Sequence, residues 1–347
     1  MFYLNGFFVI FYIDMIFQYF SYFSDRIKAN GDMIMKLENF QYKTRDNNII
    51  NYYESDNDNP ILLIIHAQST NSSSYHDVVK DLSKRFHLIL VDCYGHGKSS
   101  HNTDKYNIIS QGEDLVEFIR SKSDERISVL GHSSGGLIAC YIASKSDICD
   151  NLILEDPPLF SAFGDRRMKY YNYVDLSTCC HNFINQDDED DFVYYYFKNQ
   201  YAWNFFPDKI REKIKTKSCE SALKFRKKHP DKSLKIPFWP KKFLEAFRGM
   251  NDYDPYFGEN FYNNTFTCGI DFAELLSNIR CKTLFMKANT IIGEDGLIQG
   301  ALTDEDLELV VSLIDGMEVE YFDCGHAIHN EKKKDFVRCV VGTLEQK

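Results

Sequence analysis

Apolar positions in this chain fall either into short unbroken runs or into helical stripes. Residues 61–65, 87–91 and 127–130 are runs of four or five residues, almost wholly apolar. Such runs fit strands buried on both faces, as in a parallel sheet. Between them the period changes. Over residues 75–86, Val78, Val79 and Leu82 recur at helical spacing, and over 108–122 Leu115, Val116, Phe118 and Ile119 do the same. Residues 136–144 form a third helix-compatible stretch, and 152–154 a further strand, stopped by Pro157 and Pro158. Earlier, 39–44 and 48–53 read as an antiparallel pair about Arg45-Asp46-Asn47. Strands alternating with helices over short connections predict an α/β fold: a mainly parallel central sheet with helices on both faces.

The alternation lapses between about Phe160 and Asn278, where helical and irregular segments carry no clear buried strand. It resumes with a strand at 283–286, a helix at 304–314, a strand at 319–322 and a final helix at 332–344. The predicted organisation is an amino-terminal extension over 1–34, a first core part over 35–158, a helical cap over 159–278 inserted between core strands, and a second core part over 279–347. The middle stretch is rich in aromatics, among them Tyr170, Tyr171, Tyr173, Tyr201, Trp203, Phe205 and Phe206. Most are expected to be core, and some to face a site beneath the cap. Asp187 to Asp191 reads as a solvated acidic loop.

Composition narrows the partners. The formal net charge of the 347 residues is −11, and no basic stripe with stacking aromatics stands out, so nucleic acid is not an expected partner. The 10 cysteines include no C-x-x-C pair with zinc-like spacing, which fits free thiols in a reducing, cytoplasmic setting. The histidines are scattered without i, i+4 pairs, and Asp187 to Asp191 lacks the glycine and spacing of a calcium loop, so no metal or cofactor is expected. The stretch from Phe2 to Phe23 is apolar and aromatic and about long enough to span a bilayer, but Asn5, Asp14 and Gln18 interrupt it. Two readings stand: a membrane-associated segment, or an over-extended start, with Met33 and Met35 as later beginnings.

The chemistry concentrates at Gly131-His132-Ser133-Ser134-Gly135. G-x-S-x-G between a strand and a helix is a nucleophile elbow, in which a sharp turn exposes one serine hydroxyl. The spacing selects Ser133 as nucleophile and gives Ser134 a backbone N–H able to face an oxyanion. Three further motifs accompany it: His66-Ala67-Gln68-Ser69 after the run at 61–65, Asp92-Cys93-Tyr94-Gly95-His96-Gly97-Lys98-Ser99 after the run at 87–91, and Gly325-His326 after the last strand.

Together these motifs resemble the α/β-hydrolase superfamily over about residues 37–345. The resemblance implies a cofactor-independent serine hydrolase, esterase-like, working through an acyl-enzyme. It places Gln68 and Ser134 in the oxyanion hole and makes His326 the base, with His329 as fallback. The D-x-x-G-x-G-x-S loop is structural, and His132 packs beside the nucleophile. Where the family commonly carries its acid, after the strand at 283–288, this chain has Asn289. Asp156, at the end of the preceding strand, is taken as the acid instead, with Asp295 and Asn289 as the alternatives. The aromatic cap points to an apolar ester substrate. Asn289 also admits a second function: a small-molecule binder on a hydrolase scaffold with little or no turnover.

Overall fold

A computed structural model describes residues 37–239, 244 and 247–345; the apolar stretch at 2–23 lies outside them. The strands are β1 (Glu38–Lys43), β2 (Ile49–Glu54), β3 (Ile61–Ile65), β4 (His87–Val91), β5 (Ile127–His132), β6 (Cys149–Glu155), β7 (Lys282–Lys287), the two-residue pair β8 (Ile291–Ile292) and β9 (Ile298–Gln299), and β10 (Glu318–Tyr321). Eight of them form one sheet in the order β1-β2-β4-β3-β5-β6-β7-β10. The β1–β2 and β2–β4 pairings are antiparallel and the rest parallel.

The helices follow as α1 (His76–Leu82), α2 (Ile108–Arg120), α3 (Ser134–Lys145), α4 (Thr178–Ile184), α5 (Phe192–Asn199), α6 (Asp208–Lys228), α7 (Pro255–Tyr262), α8 (Phe272–Ser277), α9 (Asp304–Leu313), α10 (Ile328–Glu331) and α11 (Lys333–Glu345). The unbroken apolar runs are explained by burial on both faces. Leu63 and Ile65 of β3 pack with α2 and α3 residues such as Phe118 and Ile138. Leu62 and Ile64 pack on the other face with Val78 and Leu82 of α1 and Phe336 and Val340 of α11. A strand with a polar position in either set would bury an unpaired group, so none of these runs alternates.

Helices α4–α8, with short 3₁₀ and π turns, occupy the connection between β6 and β7, and it contains no strand among the described residues. They do not form a compact unit of their own: residues 35–347 hold together as one. The aromatics of this insertion divide between core and surface: Tyr171, Tyr173, Tyr201 and Phe206 are half-buried and Phe205 is exposed. Tyr170, Tyr194, Tyr196, Phe197 and Trp203 are buried, and Phe197 and Trp203 meet edge to face. Asp191, at the end of the acidic loop, caps α5 and pairs with Arg226 of α6 at 2.7 Å. In the two core parts the predicted strand and helix order is the observed one, apart from the short hairpin β8–β9 and the one-turn helix α10 before α11.

Candidate active site

The carboxyl ends of β3, β5, β6, β7 and β10 lie on one edge of the sheet, which is where open parallel sheets place ligands. Each end carries one of the residues singled out in the sequence. A solvent-open depression lined by Pro60, His87, Lys122 and Arg126 lies at the opposite ends of the strands and contains none of them.

Ser133 ends β5 and caps α3 with φ 53 and ψ −120, a left-handed conformation that non-glycine residues rarely adopt. Two glycines permit the turn. A Cβ on Gly131 would stand 2.4 Å from the Gly135 carbonyl oxygen. A Cβ on Gly135 would stand 2.4 Å from the oxygen of Ile65 and 2.5 Å from that of His66. The second contact seats the start of α3 against the end of β3, so the loop carrying Gln68 lies beside the elbow. Ser134 is the first residue of α3, and its N–H is one of the helix-end donors without an intrahelical acceptor. The Ser133 N–H donates to the Glu155 carbonyl at 3.0 Å, locking the elbow onto β6.

The loop after β3 is held by two buried histidines. His66 donates from Nδ1 to the Ala67 carbonyl at 2.8 Å and accepts at Nε2 from the Cys93 N–H at 2.9 Å. His96 accepts at Nε2 from the Ser69 N–H at 3.1 Å. Burial pushes both imidazoles below the ordinary histidine range, so each accepts as a neutral ring. The D-x-x-G-x-G-x-S loop therefore supports the loop after β3. Its Asp92 takes the N–H groups of Ser72 at 2.9 Å and Lys98 at 3.1 Å, with Gly97 at φ +55 folded against the carboxylate. The Gln68 side chain reaches the insertion twice. It donates to Tyr253 Oη at 2.8 Å and accepts from Asn172 Nδ2 at 3.3 Å. Neither partner carries a sequence signal, because both lie in the irregular middle stretch.

His326 Nδ1 donates to Asp156 Oδ2 at 2.7 Å. The Asp156 side chain is 1% exposed and that of His326 41%. The Ala288 N–H donates to the other carboxylate oxygen at 3.2 Å. With its Nδ1 proton given to Asp156, the imidazole keeps an Nε2 lone pair that can accept a proton. Asp156 is itself at φ 46, a second strained position at this edge. The other two acid candidates are engaged elsewhere. Asp295 accepts from Tyr201 Oη at 2.6 Å in an exposed position, and Asn289 donates from Nδ2 to Asp323 at 2.8 Å.

Behind this pair lies a second one that the sequence does not announce. Glu155, with no exposed surface, accepts from His329 Nδ1 at 2.7 Å, from the His329 N–H at 2.9 Å and from Tyr75 Oη at 3.0 Å. Burial raises its pKa, but His329 and His132 beside it outweigh that and bring it down to about 2. His132 donates from Nε2 to the His326 carbonyl at 2.9 Å, and burial lowers its pKa to about 3. His329 is thus bound to Glu155 and does not substitute for His326. Two carboxylates adjacent in sequence hold two histidines three residues apart.

The histidines that look scattered in sequence come together here. Ligand-type atoms of His132, Glu155 and His329 lie within 4.8 Å of one another, and His132 Nδ1 and His329 Nε2 have no hydrogen-bond partner among the described residues. The Glu155 carboxylate is already taken by three donors, which a cation would have to displace.

The sequence profile for the alpha/beta hydrolase fold matches residues 60–333. The chain belongs to the α/β-hydrolase family. Among curated proteins it is similar to a human serine hydrolase-like protein, 29% identical over 117 residues, covering 33% of this chain and 58% of that protein. Curated relatives are matched over only part of their length, 28% for a mycobacterial protein of uncharacterized role. Among solved structures, an enol-lactonase from Burkholderia xenovorans LB400 superposes with a TM-score of 0.60 at 15% identity, over 88% of this chain and 100% of that one. An esterase from Exiguobacterium antarcticum gives a TM-score of 0.60 at 16% identity, over 88% and 99%. At those identities the likeness is one of fold. With the family, these relatives make this chain a hydrolase-fold protein with serine-hydrolase- and esterase-like kin.

Proposed function

We propose that this protein is a serine hydrolase acting on a carboxylic ester or related acyl compound, with an apolar acyl or alcohol portion. Ser133 is the nucleophile, His326 the base and Asp156 the acid, with the backbone N–H groups of Gln68 and Ser134 as the oxyanion hole. The observation that carries this reading is the 2.7 Å hydrogen bond from His326 Nδ1 to buried Asp156, at the sheet edge that bears the strained Ser133. The likeness to the human serine hydrolase-like protein supports it at the level of reaction class.

In the proposed cycle, Nε2 of His326 takes the Ser133 proton as Oγ attacks the carbonyl carbon. The carbonyl oxygen becomes an alkoxide facing the Gln68 and Ser134 N–H groups, each typically worth a few kcal/mol of barrier. The imidazolium returns its proton to the departing alcohol, leaving the acyl group on Ser133. Water, deprotonated by His326, then releases the acid. Asp156 holds the Nδ1–H tautomer and offsets the imidazolium charge throughout.

The alternative of a non-catalytic binder drew on Asn289. The carboxylate of Asp156 against His326 supplies what Asn289 lacks and speaks for turnover. The test is hydrolysis of p-nitrophenyl acetate and octanoate by wild type and Ser133→Ala. The expected result is turnover, faster on octanoate, that falls at least a thousandfold in the variant. Turnover that survives Ser133→Ala overturns the mechanism, and ligand binding without turnover in the wild type supports the binder.

A further inference from the structure

Helix α6 carries a charge pattern that the hydrolase reading does not use. Between residues 208 and 238 the chain has eleven lysines and arginines against four acidic residues, within a protein of net charge −11. The excess is organised. Lys209, Lys213, Lys217, Lys224, Lys227 and Lys228 are all exposed. At about 100° per residue they fall within a sector of roughly 100° along the helix, with Glu220 the single acid in that sector. The opposite face is the packed one, where Ser218, Cys219, Ala222 and Arg226 are buried. The ion pairs of this helix with described residues are Arg211 with Asp208 and Arg226 with Asp191, and none of the six lysines enters them.

Apolar side chains stand exposed at the amino end of this stripe. Ile210, at the edge of the lysine sector, is 44% exposed, and Phe205, just before the helix, 38%. Phe238 is 57% exposed. Its neighbour Trp239 donates to Ser218 Oγ at 2.9 Å, which ties that segment to the packed face of α6 and not to the lysine sector. Exposed large apolar groups at the end of a predominantly basic face mark a surface that meets something.

We propose that the lysine face of α6 docks on an anionic lipid surface. The charges are complementary, and a helix of 21 residues lays a stripe about 30 Å long along a plane. All six cations are lysines. Lysine is a compact point charge suited to a diffuse anionic field, whereas arginine is the residue that grips individual phosphates bidentately. Exposed Ile210 and Phe205 at the amino end add a term that a bilayer interface accepts and a nucleic-acid backbone does not. The rest of the chain carries 29 basic against 47 acidic residues, so on balance an anionic membrane favours this face over the remainder.

The test uses the full chain in co-sedimentation with vesicles of pure phosphatidylcholine and of phosphatidylcholine with 30% phosphatidylserine. Uptake through residues 2–23 would be common to both vesicle types, so the serine-lipid increment isolates the lysine face. The expected result is at least tenfold stronger partitioning into the anionic vesicles, lost when salt is raised from 0.1 to 0.5 M. The variant Lys213→Gln/Lys217→Gln/Lys224→Gln/Lys227→Gln changes exposed positions only. It is expected to lower anionic partitioning at least tenfold, at about fivefold per lysine engaged, with circular dichroism and p-nitrophenyl acetate turnover unchanged. Equal uptake by both vesicle types in the wild type, or an increment that survives in a folded variant, overturns the proposal. If the variant does not fold, the wild-type composition and salt dependence decide. Duplex DNA bound more tightly than the anionic vesicles at the same salt would overturn the lipid assignment.

Discussion

Removing the Glu155 carboxylate tests whether the buried second pair holds the site together. The side chain has no exposed surface and accepts three hydrogen bonds, from the N–H and Nδ1 of His329 and from Tyr75 Oη. Glu155→Ala leaves those donors unpaired in the core, beside a ring stacked on Tyr75 at 4.2 Å. Each buried donor left without its acceptor costs about 1–3 kcal/mol, and three donors lose theirs here. Glu155→Gln keeps the volume and one acceptor but loses the charge, for roughly 1.5–3 kcal/mol. The sign with pH follows from the depressed pKa. Folding stability from this carboxylate is present above its unfolded value of about 4.3 and is lost as pH falls toward about 2. The assay is urea unfolding followed by tryptophan fluorescence at pH 7, 5 and 3. The expected order is wild type, Gln, Ala, with the gaps narrowing at pH 3. Glu155→Ala within about 1 kcal/mol of wild type at pH 7 would refute the account of this cluster.

Two further outcomes follow from neighbouring geometry. Asp156→Asn is expected to lower kcat by about 10³–10⁴ with KM little changed, while Asp295→Asn and Asn289→Asp stay within about twofold of wild type, since neither contacts His326; ester kinetics on purified variants checks this. Glu331 accepts from the Gly325 N–H at 3.1 Å, and burial lifts its carboxyl to about 7. Because the folded pKa is raised, stability is lost progressively as pH climbs from about 4.3 to about 7. Glu331→Gln, which keeps the acceptor, is therefore expected to match wild type at pH 4 and to exceed it at pH 8 by on the order of 1–2 kcal/mol, discounted for its solvent-facing edge, as read from urea midpoints.

The parts of this molecule that are legible in sequence are those where one local requirement dominates. Runs such as Ile61–Ile65 and His87–Val91 are apolar because both sheet faces are covered, and no other environment takes five consecutive large apolar residues so readily. Ser133 is legible because its turn needs Gly131 and Gly135 in fixed places. Strand β6 is longer than its apolar pattern, because its start, Cys149-Asp150-Asn151, carries polar residues toward the sheet's rim. Glu155 and His329 are invisible as a pair because 174 residues separate them and neither stands in a motif that names the other. The choice among Asp156, Asp295 and Asn289 is likewise tertiary: three strand-end or loop positions are equivalent until the His326 loop is placed. Asn172 and Tyr253 reach Gln68 from a stretch with no periodic signal, where only the fold shows which side chains face the site.

The central claim is an activated hydroxyl on Ser133. Labelling of the intact protein with a fluorophosphonate, followed by peptide mapping, tests it without knowledge of the natural substrate. The predicted result is a single adduct on the peptide containing Ser133, abolished in His326→Ala. A protein that is folded and hydrolyses esters yet carries its adduct on another residue, or none, would contradict the account.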